Sequence, residues 1–441
     1  DTDPNDDEVP GQADMGAIKT LLALRRIPGA LQKNHVVVEL LDGERRGVME
    51  RIGVGGVEVV SMTEVLGRLL VQTVRQSGIA EVYRYLLSYD GSEFYFHPFP
   101  ELAGQPWSVV QWRLENAVAV GIRRIGADGK INVILNPRDE EVLQQTDEIL
   151  VLAEDDDTFR LVAERAVTIP ANFKGTTPRG KQPESILIVG VGENLSDILS
   201  EFDTYVAKGS KVYLLPGRTQ DELKDEIDTS KLNLKNTSLH FIEGDPTSPE
   251  VLRPLRNLDL AAAMVVADMR FDDQEADART AMSVLLLREI FEDAGKKVRI
   301  ISEMLDPRTK ELLEGDGAAD FVVSTEITSM LLAQVSERRE LNAVFADLFD
   351  SDGNEIYFKR SAAYAPLGQN VSWLQVQKVA RARGEIALGY YRDGQPFQMD
   401  QMNPPQDLQL AFSEADKVIV LAEDDREEPY TQTAPPEQKS A

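Results

Sequence analysis

Short apolar runs alternate with helical patterns through the second half of the chain. The run GluSerIleLeuIleValGly at 184–190 is apolar and branched and ends in glycine, which is typical of a strand buried on both faces of a parallel sheet. Apolar residues at helical spacing follow at 195–202, and four more strands are predicted at 211–215, 238–242, 263–267 and 298–302. Strands joined by helical crossovers pair in parallel, so the pattern predicts an α/β fold with a doubly wound, Rossmann-like sheet.

The chain also contains the same domain twice. The segments 59–72, 90–96 and 149–156 recur, in that order, at 322–334, 352–358 and 418–425. A period this long indicates a duplicated domain rather than a solenoid repeat. The alignment places Asp1 opposite Met264, whereas the second copy begins near Glu184. We therefore expect the first copy to lack a counterpart of roughly the first 80 residues of the second, which truncates its sheet.

The repeat gives the predicted domain boundaries. The first domain covers 1–159, including a small β-rich C-terminal lobe at about 97–159, and a linker at 160–183 follows it. The second domain covers 184–426, with a sheet lobe at about 184–324, a helix pair at about 325–350 and a C-terminal lobe at about 356–426. Residues 427–441 are predicted to form a disordered tail.

Both copies carry a helix, a turn and a second helix. In the first copy, apolar residues recur at helical spacing over 66–74 and again over 82–86, and the design repeats over 330–348. Two interpretations stay open. Each pair either completes the core of its own domain, or packs against the other copy or another chain and couples their movements.

Composition and charge narrow the classes of function. The net charge of −28 disfavours nucleic acid and anionic membranes, and it favours cations, basic partners or simple solubility. The absence of cysteine excludes disulfides, thiolate metal sites and thiol nucleophiles. No apolar run approaches the ~20 residues that span a bilayer, so this chain is not expected to insert into a membrane. The acidic run at 154–157 follows an apolar strand and is interpreted as a solvated strand exit rather than a metal loop.

The turn after the first strand of the second copy is close to a dinucleotide-binding loop. Gly190 and Gly192 fill two positions of the GxGxxG pattern, followed by Glu193, but Leu195 occupies the third. The second strand ends in 215–217, LeuProGly, without the acidic residue that binds ribose. NAD in its usual pose is therefore doubtful, and a degenerate loop kept for its turn geometry is favoured. No catalytic acid or base accompanies the loop, so an enzyme is not predicted.

The order of elements resembles the RCK (regulator of potassium conductance) or TrkA-type ligand-binding domain. The resemblance is carried by 243–252, by the acidic run 272–277 after the fourth strand, and by Glu303 after the fifth. It implies that Gly244 and Asp245 face a nucleotide cleft. It also implies that 325–334 begins a dimerising helix pair and that each copy closes with a small β-rich lobe.

A narrower resemblance is to the plant CASTOR and POLLUX ion channels, carried by 35–40, 64–72 and 147–159 together with the tandem arrangement. It implies a tetrameric ring of eight RCK domains on the cytosolic face of a membrane, attached to a pore domain of the same full-length chain. The pore helices and the start of the first domain are then absent from this sequence. The alternative is a soluble regulatory subunit of a separate K⁺ transporter, with a nucleotide as ligand.

The resemblance also suggests Ca²⁺ as the gating ligand. Ca²⁺ takes six to eight oxygen ligands, which must converge from several segments. In calcium-gated relatives an acidic residue after the fourth strand joins two glutamates after the fifth. The corresponding residues of the second copy are Asp272 or Asp273 and Glu303, with Leu305 replacing the second glutamate. The corresponding residues of the first copy are Asp6 or Asp7, Glu39 and Leu41.

Overall fold

The computed structural model describes residues 12–41, 43–53, 56–126, 129–164, 168, 182–226, 232–314, 320–351 and 353–425. The predicted tail at 427–441 lies outside these ranges. The chain divides into two units, which cut across the sequence repeat. The sheet unit comprises 1–80 and 181–351, and the lobe unit comprises 81–180 and 352–441.

The first copy contributes a two-stranded parallel sheet to the sheet unit. Its elements are α1 (Gln12–Arg25), α2 (Ala30–Lys33), β1 (Val36–Leu40), α3 (Arg46–Gly53), β2 (Val57–Ser61), α4 (Met62–Arg75) and α5 (Ile79–Leu87), which leads into the lobe unit. β1 and β2 pair in parallel, with Val38 opposite Val59. Leu21 and Met49 from the helices pack against this sheet. Among the described residues, the sheet of the first copy thus has two strands.

The first C-terminal lobe is antiparallel. It contains β3 (Glu93–Pro98), α6 (Trp107–Val110), β4 (Leu114–Glu115), β5 (Ala117–Ile125), β6 (Ile131–Leu135), β7 (Glu148–Ala153) and β8 (Arg160–Leu161). Four strands form a sheet of order β3-β7-β5-β6, and β4 pairs with β8. Arg160 and Leu161 fall in the predicted linker, yet they pair with Glu115 and Leu114, and this lobe therefore extends to them.

The second copy contributes a complete sheet to the sheet unit. Its elements are β9 (Ser185–Val189), α7 (Leu195–Tyr205), β10 (Ser210–Leu215), α8 (Gln220–Glu226), β11 (Thr237–Phe241), α9 (Pro249–Leu252), β12 (Ala262–Val265), α10 (Asp273–Asp293), β13 (Arg299–Met304), α11 (Pro307–Glu314), β14 (Asp320–Val323), α12 (Ser324–Glu337) and α13 (Leu341–Leu348). Six parallel strands stand in the order β11-β10-β9-β12-β13-β14. The predicted doubly wound sheet is confirmed. Its sixth strand, β14, was not predicted because its short apolar run passes directly into α12 without a break.

The second C-terminal lobe repeats the antiparallel design. It contains β15 (Glu355–Arg360), β16 (Asn370–Ser372), α14 (Trp373–Ala382), β17 (Ile386–Tyr391), β18 (Gln409–Ala411) and β19 (Lys417–Ala422). The strands form one sheet of order β15-β19-β17 and a β16-β18 ribbon. Ser372 and Gln375 close a capping box at the start of α14. Trp373 and Phe412 then pack in the buried core of the lobe.

The first helix of the first pair packs against the other copy. Leu69, Leu70 and Val71 of α4 are all fully buried, as expected of a helix enclosed between two layers. A Cβ added at Gly67 would lie 3.0 Å from the Cβ of Asp197 on α7, so the two helices approach closely. From the second copy, Arg339 reaches back to Glu58 of β2 at 2.7 Å. α4 thus packs against the second copy, which is one of the two interpretations that the sequence left open.

Candidate cation site and ligand cleft

Glu303 occupies the end of β13 in the second copy and is buried. Its Oε2 accepts a hydrogen bond from the backbone N–H of Ala267 at 3.2 Å. Burial is the main cause that raises the pKa of Glu303 to about 7, and the charges of Asp277 and Glu193 also raise it, whereas the hydrogen bond from Ala267 lowers it. The Glu303 carboxyl is therefore close to half-protonated at neutral pH when no cation is near.

The two aspartates predicted to accompany Glu303 are used differently. Asp272 is the N-cap of α10 and accepts the N–H of Glu275 at 2.9 Å, and both Asp272 and Asp273 are exposed. The carboxylate that reaches the strand end is Asp277, one turn further along α10. It is 1% exposed and accepts the backbone N–H groups of Leu305 at 2.8 Å and Asp306 at 2.9 Å.

The first copy has the same arrangement at the end of β1, but its glutamate is exposed to solvent. Asp14 of α1 is buried and accepts the N–H of Leu41 at 3.0 Å and Nη1 of Arg45 at 3.1 Å. Glu39 of β1 corresponds to Glu303, but its side chain keeps access to solvent. Partial desolvation raises the pKa of Glu39, and the charge of Asp14 raises it further. Asp6 and Asp7 lie outside the described residues.

Glu193 is a carboxylate of the second copy on which the charge of Asp14 acts. It lies on the glycine loop after β9, where partial desolvation and then the charge of Asp14 raise its pKa. Next to it, Asn194 is buried, and its Oδ1 has no hydrogen-bond donor among the described residues. We call Asp14, Glu39, Glu193 and Asn194 the cross-copy acidic group. Its carboxylates and the Oδ1 atom of Asn194 are oxygen ligands, the type that hard cations prefer.

Sequence reasoning missed Asp14, Asp277 and Asn194. The repeat held a usable signal for two of them, because Asp14 and Asp277 stand at the offset that also relates Leu22 to Leu285. Asn194 carried no comparable signal, since its burial depends on α4 packing over the loop. The close approach of Gly67 to the backbone oxygen of Asn194 shows this packing.

The glycines of the nucleotide-like cleft have structural uses. Gly190 has a positive φ of 88°, and a Cβ there would collide with the carbonyl oxygen of Val266. A Cβ at Gly244 would lie 2.6 Å from a methyl group of Val251. At Gly192, a Cβ would lie 2.8 Å from Oδ1 of Asn194. Each glycine therefore permits a close approach within the protein itself.

Ion pairs cross the cleft beside these glycines. Asp245 pairs with Arg279 at 2.9 Å and accepts the N–H of Thr247, and these contacts lower its pKa. Asp268, after β12, pairs with Arg270 at 2.5 Å and with the buried Arg218 at 3.2 Å.

The exposed acidic run after β7 forms a separate cluster. Asp155, Asp156 and Asp157 place carboxylate oxygens within 4.8 Å of one another, and no other group of three or more His, Cys, Asp or Glu does so in the described chain. All three residues are exposed on a turn, where water solvates them. Asp14, Glu39 and Glu193 do not form such a group, so their carboxylate oxygens are further apart than the ligands of a closed metal site.

Comparison with known proteins identifies the family. The family described as "Castor and Pollux, part of voltage-gated ion channel" matches residues 63–168. The ion channel CASTOR of Lotus japonicus is 32% identical over 415 residues, which cover 86% of this chain and 48% of the relative. The chain belongs to the CASTOR and POLLUX family. A probable ion channel POLLUX of Arabidopsis thaliana is 29% identical over 94% of this chain and 54% of its own length.

The chain thus spans about half the length of the CASTOR and POLLUX proteins that it matches. Its fold is similar to that of the human SLO3 gating ring, with a TM-score of 0.64 at 11% identity, covering 98% of this chain and 87% of that one. This likeness confirms the tandem RCK fold that the sequence predicted. Within the described ranges, no helix combines the length and apolarity needed to cross a membrane.

Proposed function

We propose that this chain is the regulatory gating-ring region of a CASTOR- or POLLUX-like cation channel and that Ca²⁺ is its ligand. The single observation that supports the proposal is the cross-copy acidic group, in which the charge of Asp14 acts on Glu39 of one copy and on Glu193 of the other. The charge of Asp14 acts on both carboxylates, so they share one electrostatic neighbourhood. A divalent cation placed there would offset the repulsion from Asp14, which adds to partial desolvation in raising their pKa values.

Glu39 and Glu193 are the expected side-chain ligands, with Oδ1 of Asn194 as a third. Asp14 acts as a positioning residue, because its hydrogen bond to Leu41 and its ion pair with Arg45 fix the end of β1. Water would complete the six to eight oxygen ligands of Ca²⁺. Glu303 has no open outer face and serves less well as a ligand.

Binding would change the relation between the two copies. The carboxylates must move together to reach ligand distance, and Glu193 and Asn194 sit on the loop against which α4 packs. Drawing Glu193 toward Glu39 therefore shifts α4 against α7. A ligand shifts such an equilibrium only by its differential affinity for the two arrangements, and an incompletely closed acidic group supplies that difference.

The remaining parts of the proposal follow from the family. The full-length protein would carry a transmembrane pore, the chain would assemble with its copies into a tetrameric ring of eight RCK domains, and the ring would lie on the cytosolic face of the membrane. The matching relatives are described as ion channels, which supports a non-enzymatic role. The SLO3 gating ring supports the ring architecture through its fold alone.

Calcium titration calorimetry tests the proposal on four proteins. Wild type should bind Ca²⁺ saturably, and the double variant Glu39→Gln, Glu193→Gln should lose that binding, since two charged ligands become neutral. The triple variant Asp155→Asn, Asp156→Asn, Asp157→Asn is the matched control for removing acidic charge and should keep it. A variant with Asp272→Asn, Asp273→Asn and Glu303→Gln tests the second copy and should also bind.

Each failure has its own meaning. Loss of binding in the second-copy variant alone would move the sensor to Glu303 and contradict the cross-copy group. No binding by wild type at millimolar Ca²⁺ would contradict a calcium sensor in this chain. Binding of a nucleotide in place of Ca²⁺, with monomers at every concentration, would favour the regulatory subunit of a separate transporter.

A further inference from the structure

A polar cavity in the lobe unit gathers basic side chains from both C-terminal lobes. Its volume is about 230 Å³. Asn136 and Arg138 of the first lobe line it together with Lys359, Arg381, Arg383 and Glu385 of the second. Glu423 and Asp424 also line it. Four basic side chains around one cavity are unusual in a chain whose net charge is −28.

Arg383 is the unusual member of this cavity. Its side chain is 6% exposed, yet Nε and Nη2 have no hydrogen-bond acceptor among the described residues. The remaining contact, from Nη1 to the carbonyl of Ala363, is long at 3.4 Å. The guanidinium lies 5.2 Å from the centre of the Tyr364 ring, which holds its plane in place. Buried charged donors without acceptors are costly, so the site favours an acceptor from outside.

The acid beside Arg383 is already engaged. Glu385 accepts a hydrogen bond from Nζ of Lys359 at 2.8 Å and another from the hydroxyl of Tyr364. Its nearest approach to Nε of Arg383 is 3.7 Å, beyond hydrogen-bond distance. Glu385 therefore has two hydrogen-bond donors already, and it approaches Arg383 only at ion-pair distance.

Hydrogen bonds beside the cavity join the two lobes. Arg381 donates to Asp139 at 2.6 Å, to Asn136 at 2.8 Å and to the carbonyl of Pro137 at 2.7 Å. Asn136 in turn donates to the carbonyl of Gly384, next to Arg383, at 2.7 Å. Arg138 is exposed at the rim, and its guanidinium has no ion-pair partner in the parts of the chain that the structure describes.

We propose that this cavity binds a phosphate group, with Arg383 as the buried donor and Arg138 as the rim donor. A guanidinium with two free N–H groups matches phosphate oxygens in fork geometry, which explains the use of arginine here. The phosphate is either free inorganic phosphate or the terminal phosphate of a larger molecule that projects from the cavity. Because residues of both lobes line it, occupancy would strengthen their association. This inference is independent of the calcium site.

Phosphorus NMR and calorimetry with two probes, inorganic phosphate and phenyl phosphate, test the proposal. Wild type should bind at least one probe, and Arg383→Gln should weaken that binding at least tenfold. Arg138→Gln should weaken it severalfold, and because Arg138 is exposed, its loss leaves the fold unchanged. The control is Arg160→Gln, an exposed arginine paired with Glu115 in the first lobe, and its binding should match wild type.

The two probes distinguish the source. Tighter binding of inorganic phosphate indicates the free anion, and tighter binding of phenyl phosphate indicates a phosphate monoester of a larger molecule. Equal affinity of wild type, Arg383→Gln and Arg138→Gln for both probes would overturn the proposal. No binding of either probe to wild type at millimolar concentration would also overturn it.

Discussion

At the ends of β1 and β13 the two copies place an aspartate and a glutamate in matching positions. In both, a buried aspartate from a helix earlier in the copy accepts the backbone N–H that lies two residues beyond the glutamate. The glutamates differ, since Glu303 is buried and Glu39 is open to solvent. The two copies thus share the arrangement of aspartate and glutamate at the strand end but differ in exposure. Glu303 of the second copy is enclosed inside the sheet unit, and Glu39 of the first copy faces solvent.

The largest expected effect comes from the aspartates that hold the strand ends. Asp277→Asn replaces a buried carboxylate that accepts two backbone N–H groups, and it should lower the free energy of unfolding by about 4 kcal/mol. Asp14→Asn should cost about half as much, because Arg45, which pairs with Asp14, is partly exposed. Urea denaturation of both variants measures the difference. An equal or larger loss in Asp14→Asn would remove the distinction between a closed and an open copy.

The next effect concerns pH. The pKa of Glu303 is raised to about 7, so the folded protein holds a proton that the unfolded chain releases above its ordinary value. The stability of wild type should therefore fall as pH rises from about 4.5 to about 7, by up to about 3 kcal/mol. Glu303→Gln should remove that part of the dependence, whereas Glu39→Gln should leave it in place. Parallel slopes for wild type and Glu303→Gln would show that Glu303 is not a buried neutral acid.

The packing between copies gives a third, smaller effect. Gly67→Leu would force a side chain into the contact between α4 and α7, with an expected cost of about 2 kcal/mol. Ser329 occupies the matching position of α12 and is exposed, so Ser329→Leu should cost less than about 0.5 kcal/mol. Thermal unfolding of the two variants makes the comparison. Similar losses would mean that α4 and α12 are packed alike.

The smallest effect is expected at the open carboxyl itself. Without cation, the raised pKa of Glu39 shows that its charge is mildly unfavourable in the folded protein. Glu39→Gln should therefore stabilise the protein at pH 7, by less than about 1 kcal/mol because solvent screens the group. With saturating Ca²⁺, wild type should instead be more stable than Glu39→Gln, because only wild type gains stability from the bound ligand. Destabilisation by Glu39→Gln without Ca²⁺ would assign the residue a structural role.

The apolar runs predicted five strands of the second sheet and the helix pairs, because burial on both faces leaves a clear local pattern. Local pattern did not reveal β14, which passes into α12 at Ser324 without a turn residue. It also did not separate Asp277 from Asp272 and Asp273. All three carboxylates lie within two turns of α10, and only the packing of the helix decides which one reaches β13. The cross-copy group and the phosphate cavity depend on contacts between distant segments, which spacing along the chain does not encode.

The position of bound calcium in a crystal structure tests the central claim most directly. Crystals grown with Ca²⁺ should show an ion between Glu39 and Glu193, with Oδ1 of Asn194 nearby and Glu303 unliganded. The same carboxylates should be further apart in crystals grown with a chelator. An ordered ion held by Glu303, or only at Asp155–Asp157, with Glu39 and Glu193 unmoved would contradict the account.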